Sequence, residues 1–312
     1  MRAIFCLKTV GQDEIVCWEL ALMSLGIHCA VISDEIQCYQ RLYSDKSERK
    51  FMLVLDQLTA GILDKLDQIE AVTFEVLLLC TDPFKKLPEN IRRSKFVNFY
   101  MGYTPDTFDP RDLLTAASKI QTKDIFGLEK YLRGGTVIHS QPVCTPREKE
   151  SVLAAIGRGV GDLAELLSKA SVEQYATRIE MVMDELILNA VFNANPRYHA
   201  APRDQGFELQ PYDQVLVRWG FDGMHFCFSV LDHFGTLLKD TVTKYVDGTL
   251  PNQDTLVRSS GGYGFRYIHE HSSQLIFNIN RNAQTEVIVL MAFTRRIKDF
   301  TNRLKSLHFY HA

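Results

Sequence analysis

Residues 177–195 read TRIEMVMDELILNAVFNAN and are apolar nearly all round a helix. Ile179, Met181, Val182, Met183, Leu186, Ile187, Leu188, Ala190, Val191 and Phe192 leave no continuous wet face. A helix of that kind is buried. It nevertheless carries Glu185, Asn189 and Asn193 at i, i+4 and i+8. That spacing aligns them on one face, roughly 6 Å of helix axis per step. Burying a carboxylate and two amides without partners costs several kcal/mol. The fold must therefore surround this helix and also supply its polar row with partners. A divalent cation with an activated water is one such set; a capped or solvated polar stripe is the other.

The 312-residue chain is long enough for two domains, each able to bury a core. Its first 120 residues alternate continuously apolar runs with helical patterns. MRAIFCL, HCAVISD, KFMLVLDQ, FEVLLLCTD and KFVNFYMG read as strands. DEIVCWELALMSLG, EIQCYQRLY, GILDKLDQIEAV and DPRDLLTAASKI read as helices. Strands without alternation suit a parallel sheet covered on both faces. Five β/α steps predict a small doubly wound α/β domain. The stretch YLRGGTVIHSQPVCTP, with Gly134, Gly135, Pro142 and Pro146, reads as a linker. Thr145, Pro146 and Glu148 then spell a helix start, and Ser171 with Gln174 a second one. Beyond Pro196 the pattern turns to hairpins, one at Asp222-Gly223 and one at Ala283-Gln284. The expected division is a domain at 1–124, a linker at 125–144 and a mixed helix-and-hairpin sandwich at 145–312.

Charge and composition remove several classes. A net charge of −3 and a pI near 6.3 give no bulk field for nucleic acid or anionic membrane. No 18-residue apolar stretch and no signal peptide are present, so a cytoplasmic protein is expected. Seven cysteines without a C-x-x-C pair form neither a zinc pattern nor a disulfide framework. They are expected to be small buried hydrophobes in a reducing compartment. The C-terminal RLKSLHFYHA is amphipathic and is expected to pack on the second domain.

Two further segments carry chemistry. Asp232 closes the apolar strand MHFCFSVL, with Gly235 three residues on. Such a carboxylate can accept from a base amino group, though Asp-turn-Gly is also ordinary loop chemistry. In RSSGGYGFRYIHEH, Gly261, Gly262 and Gly264 precede a helical pattern. Closely spaced glycines there let backbone N–H groups approach phosphate. It is neither a P-loop nor a Rossmann fingerprint.

In their order along the chain, these segments resemble the GHKL (Bergerat-fold) ATPase family, over residues 146 to about 295. DELILNAVFNA resembles the N box, VLDHFG the G1 box and GGYGF the G2 box. Thr285 in QTEVIVLMAF resembles the family's threonine before its last strand. The short lid between Asp232 and Gly261 is most similar to the anti-sigma-factor serine kinases. The resemblance implies ATP and Mg²⁺ as cofactors, with Glu185 as general base and Asn189 as the Mg²⁺ ligand. It assigns the adenine amino group to Asp232, with Thr285 in support. Gly235, Gly261, Gly262, Gly264 and Asn193 fall at the nucleotide. Phe234 stands where the family's G1 box has its first glycine, and no basic residue follows DELILNA until Arg197. The helix before the N box contains no His, so a histidine-kinase phosphoacceptor is missing; His139 precedes it.

The N-terminal domain resembles a response-regulator receiver, flavodoxin-like in fold. Asp56 ends FMLVLD at the phosphoacceptor position, and Thr81 follows LLLC at the switch position. The acid pair after the first strand is absent, with Lys8 nearby instead, and Asp106 lies near the place of the expected Lys. Without the acids and the Lys, phosphorylation of Asp56 is not expected. The resemblances together imply a bacterial-type signalling protein that binds ATP–Mg²⁺ and acts on a signalling partner, as a Ser/Thr kinase or ATPase. A homodimer through the receiver-like domain is the second partner expectation. The alternative is an inactive pseudo-receiver/pseudo-ATPase scaffold.

Overall fold

Strand β3 shows why the first half folds as it does. In the computed structural model KFMLVLD is a strand (Lys50–Asp56), buried from Phe51 onward. A run apolar at every position must be covered on both faces, and helices supply that cover. The structure describes residues 1–44, 50–69, 72–161, 169–199, 201–249, 264–293 and 297–312. The chain is a mixed α/β protein that divides into two units, 1–125 with 306–310, and 126–305 with 311–312. No helix among the described residues is long and apolar enough to cross a membrane.

The first unit contains β1 (Arg2–Cys6), α1 (Gln12–Ser24), β2 (His28–Val31), α2 (Glu35–Ser44) and β3. It continues with β4 (Thr73–Cys80), α3 (Glu89–Arg92), β5 (Val97–Gly102) and α4 (Pro110–Thr122). These strands run parallel in the order β2-β1-β3-β4-β5. Trp18 of α1 is buried against Phe5, Tyr103 and Phe108, with ring centroids 5.1–6.4 Å apart. Asp109 caps α4 by accepting from the Arg111 N–H at 2.9 Å, with Pro110 in the first turn. GILDKLDQIEAV differs from expectation: it forms a 3₁₀ helix over Ala60–Gln68.

The second unit begins with β6 (Ile138–Val143), inside the stretch expected as a linker. This strand pairs antiparallel with β7 (Val215–Phe221) and places Pro142 opposite Leu216. β6 lies at the end of the strand order, where a residue without an N–H is tolerated. Next come α5 (Pro146–Gly161), α6 (Lys169–Leu188) and a π-helical turn (Asn189–Ala194). β8 (His225–Asp232), α7 (Lys239–Asp247), α8 (Gly264–Glu270), β9 (Gln274–Asn280), β10 (Gln284–Ala292) and α9 (Ile297–Asn302) follow. The sheet is antiparallel in the order β6-β7-β8-β10-β9. Thr145 and Glu148 form the expected capping box. Glu148 accepts from the N–H of Cys144 (2.7 Å) and Thr145 (3.0 Å), and Thr145 Oγ1 accepts from Glu148 N–H. Ser171 is not a cap, because α6 is already helical from Lys169.

Both hairpins form, the second with a shifted turn. Gln284 is already paired with Asn280, so the turn is 281–283, with Asn282 at φ 58°. Asn tolerates this left-handed conformation, which Ala and Gln do not favour. The C-terminal segment departs further. Residues 306–311 form β11 (Ser306–His311), and Leu307 and His308 pair antiparallel with Tyr100 and Phe99 of β5. Residues 306–310 group with the first unit, although they follow the second in sequence. Among the cysteines, Cys6, Cys38, Cys80 and Cys227 are buried, whereas Cys17 is exposed.

Candidate functional site

The polar row that starts on α6 and runs into the π turn meets its partner in Arg203. This residue opens a short 3₁₀ turn (Arg203–Gln205) that starts after Pro202. Arg203 Nη1 donates to Glu185 Oε1 and Oε2 at 3.2 and 3.0 Å, and Nη2 donates to Asn189 Oδ1 at 3.0 Å. Asn193 Nδ2 donates to the same Asn189 oxygen at 2.7 Å. Glu185, Asn189 and Asn193 are thus brought together, and a guanidinium holds the first two. Burial raises the Glu185 pKa, and Arg203 and the Asn189 amide oppose that shift. The Glu185 and Arg203 side chains keep only 20% and 15% of their exposure. Removing one partner of so covered a pair costs about 3–5 kcal/mol. Arg197, the first basic residue after the row, is exposed and pairs with Asp213 at 3.3 Å.

The helix carrying this row differs from expectation in two places. Met181 is half exposed, beside the Tyr267 hydroxyl. After Leu188 the α-helix widens into the π turn, which contains Asn189 and Asn193 and packs against β8. π-bulges cost helix stability and collect at functional sites. Gly264, the first residue of α8, lies against Glu185. A Cβ there would come 2.7 Å from the carboxyl carbon, so a side chain at this position would push the Glu185 carboxylate out of its place. Gly261 and Gly262 lie outside the described residues.

A second cluster forms at the end of β8. Asp232 and Thr285 are opposite one another in the β8–β10 ladder and share a face. Asp232 Oδ1 accepts from the N–H of Phe234 at 2.9 Å and of Gly235 at 3.4 Å, an Asx turn. Burial pushes the Asp232 pKa up to about 6, against the N–H groups of Phe234, Gly235 and Thr285. Thr285 is buried, and its Oγ1 has no hydrogen-bond partner among the described residues. Gly235 adopts φ +60° and touches the β9–β10 turn, where its carbonyl accepts from Asn282 N–H at 3.1 Å. Glu286, next to Thr285 on β10, points to the opposite face and accepts from Gly127 N–H and Asn278 Nδ2 at 2.8 and 2.9 Å.

In the first unit, Asp56 is buried at the end of β3. One carboxylate oxygen accepts from the N–H groups of Lys8 and Thr9 at 2.5 and 2.7 Å, and from Thr9 Oγ1 at 3.0 Å. The other accepts from the N–H of Leu58 and Thr59 at 3.0 Å and from Thr59 Oγ1 at 3.1 Å. The carboxylate ties the loop after β1 to the turn after β3. Thr81 does not reach it. Its N–H and hydroxyl donate instead to Gln57 Oε1 at 2.7 and 2.6 Å. Asp106 is exposed, and Lys8 faces Glu35 at 3.6 Å. His139 lies on β6, stacked on Trp219 at 5.3 Å.

No protein-family model matches this chain, and no curated protein matches it at a significant level.

Proposed function

We propose that the second unit binds a purine nucleotide in a pocket of the GHKL (Bergerat) type, and that the chain is a signalling protein regulated by that binding. One observation carries the reading. A buried carboxyl at Asp232 stands opposite a buried hydroxyl at Thr285 that has no partner among the described residues. A buried polar atom without a partner is costly, and a ligand that satisfies it recovers that cost. The edge of adenine offers an amino donor for the carboxylate and a ring-nitrogen acceptor for the hydroxyl. The strand order of the second unit, with the Glu185 row on a helix and π turn beside β8, supports the same reading.

Glu185 bears on turnover. A general base must hold a free lone pair within reach of the proton it takes. Arg203 Nη1 donates to both Glu185 oxygens; each keeps a second lone pair, but the ion pair makes the carboxylate a weaker base, which favours nucleotide binding without phosphoryl transfer. Asn189 Oδ1, the expected Mg²⁺ ligand, likewise accepts from two donors and does not fit that role. The first unit, with the strand order of a flavodoxin-like receiver and an internally bonded Asp56, fits a pseudo-receiver that docks a partner or a second copy. A Ser/Thr kinase is the reading that Glu185 disfavours. The non-enzymatic scaffold is what remains if nucleotide does not bind.

Calorimetry of ATP against the full chain, in Mg²⁺ and in EDTA, tests the pocket. Asp232→Asn keeps the side chain's size and reverses one hydrogen-bonding group. It is expected to weaken binding about 10- to 100-fold, the worth of one hydrogen bond to a charged group. Absence of binding to the wild type at millimolar ATP rejects the nucleotide reading.

A further inference from the structure

A divalent cation needs oxygen lone pairs that nothing else holds. An amide oxygen has two. Those of Asn189 Oδ1 face Arg203 Nη2 at 3.0 Å and Asn193 Nδ2 at 2.7 Å. Each Glu185 oxygen gives one of its two lone pairs to Arg203 Nη1, at 3.0–3.2 Å, and the pair is neutral in charge. A planar guanidinium fits a carboxylate and a neighbouring carbonyl as a fixed fork, which an ammonium or a hydrated metal does not. The turn after Pro202 presents it from one side, and Gly264 closes against the carboxylate. We propose that Arg203 takes the place of a divalent cation in the Glu185–Asn189 site, so that nucleotide phosphates reach a guanidinium and binding is independent of metal.

The charges agree with this assignment. Arg203 and Glu185 neutralise each other, so the row offers no excess negative charge to a metal. A divalent ion entering beside the guanidinium would meet a like charge in a covered site. Mg²⁺ also demands near-octahedral oxygen donors and gives up its waters reluctantly. The guanidinium carries five N–H donors, and its three contacts to Glu185 and Asn189 leave capacity for a phosphate oxygen. The sequence conceals this arrangement, because Arg203 lies 18 residues beyond Glu185 in an irregular segment.

The proposal deepens the nucleotide reading but is tested without nucleotide. Mn²⁺ alone is titrated into the full chain and followed by electron paramagnetic resonance. The wild type is expected to show no Mn²⁺ site that Glu185→Gln removes. Arg203→Gln, which keeps a hydrogen-bonding side chain but no charge, is expected to gain Mn²⁺ affinity by about tenfold or more. That gain should vanish in Arg203→Gln/Glu185→Gln. Arg203→Met is the second variant should the glutamine form fold poorly. A wild-type Mn²⁺ site lost in Glu185→Gln overturns the proposal, as does a folded Arg203 variant without the gain. Where ATP binds, equal affinity in Mg²⁺ and EDTA supports it, and Mg²⁺-dependent wild-type binding overturns it.

Discussion

Gly235 is where the loop after β8 and the turn before β10 meet. At φ +60° a Cβ would collide with the Asn280 carbonyl and lie 2.7–2.8 Å from the backbone nitrogens of Ala283 and Asn282. Gly235→Ala is expected to destabilise the second unit by about 2–3 kcal/mol, read as a lower urea midpoint at unchanged slope. Asp232 carries a pH signature. Its pKa rises from 3.8 to about 6 on folding, chiefly through burial. Below 3.8 it is protonated in both folded and unfolded chains, and above about 6 it is ionised in both. Between these limits the folded chain holds a proton that the unfolded chain has lost. Stability therefore falls as pH rises through this window, by about 3 kcal/mol in all. The stability difference between wild type and Asp232→Asn, followed across the window, checks this. A flat difference would remove the assignment. The roles of these two residues were only half legible. Asp-x-x-Gly is visible in sequence, but the approach that requires glycine comes from a turn 45 residues downstream.

At the scale of elements, local chemistry decided most boundaries. The start of α5 was legible because a capping box closes within four residues. Glu148 satisfies two N–H groups there, so Glu148→Ala is expected to cost about 1–2 kcal/mol. Thr145→Ala, which loses one longer bond of 3.3 Å, should cost about 1 kcal/mol or less. Urea denaturation of both variants ranks them, and a larger loss in Thr145→Ala would contradict the bond pattern. The π turn at 189–194 was not legible. An i, i+4 row fits an α-helix as well as a widened turn, and packing against β8 separates the two. The turn of the second hairpin falls at 281–283 and not at 283–284, because Asn282 in the left-handed region takes its centre. Pro142 and two glycines read as a linker, since nothing local distinguishes an edge strand from a loop.

At the scale of the molecule, β11 makes the first unit discontinuous in sequence. Leu307, Phe309 and Tyr310 are buried there, with His308 between them. Each large apolar side chain contributes about 1.5–3 kcal/mol when buried. A chain ending at Lys305 is expected to lose at least about 4 kcal/mol of first-unit stability. Fluorescence of Trp18 in a Trp219→Phe background reports on that unit alone, since the chain has two tryptophans. A free peptide of residues 303–312 should restore the loss, and unchanged unfolding of the shortened chain would contradict the role of β11.

By itself, the sequence determined the α/β class, the parallel run of five apolar strands, the antiparallel hairpins and the polar row of Glu185, Asn189 and Asn193. Each rests on period, caps or turn residues, whose energies are settled among near neighbours. Only the tertiary structure decided that Arg203 holds Glu185 and Asn189, that Asp232 faces Thr285, that Asp56 is bonded internally and that the last strand joins the first unit. Those contacts join residues far apart in the chain. Burial sets their worth by stripping away the water that would otherwise satisfy each group.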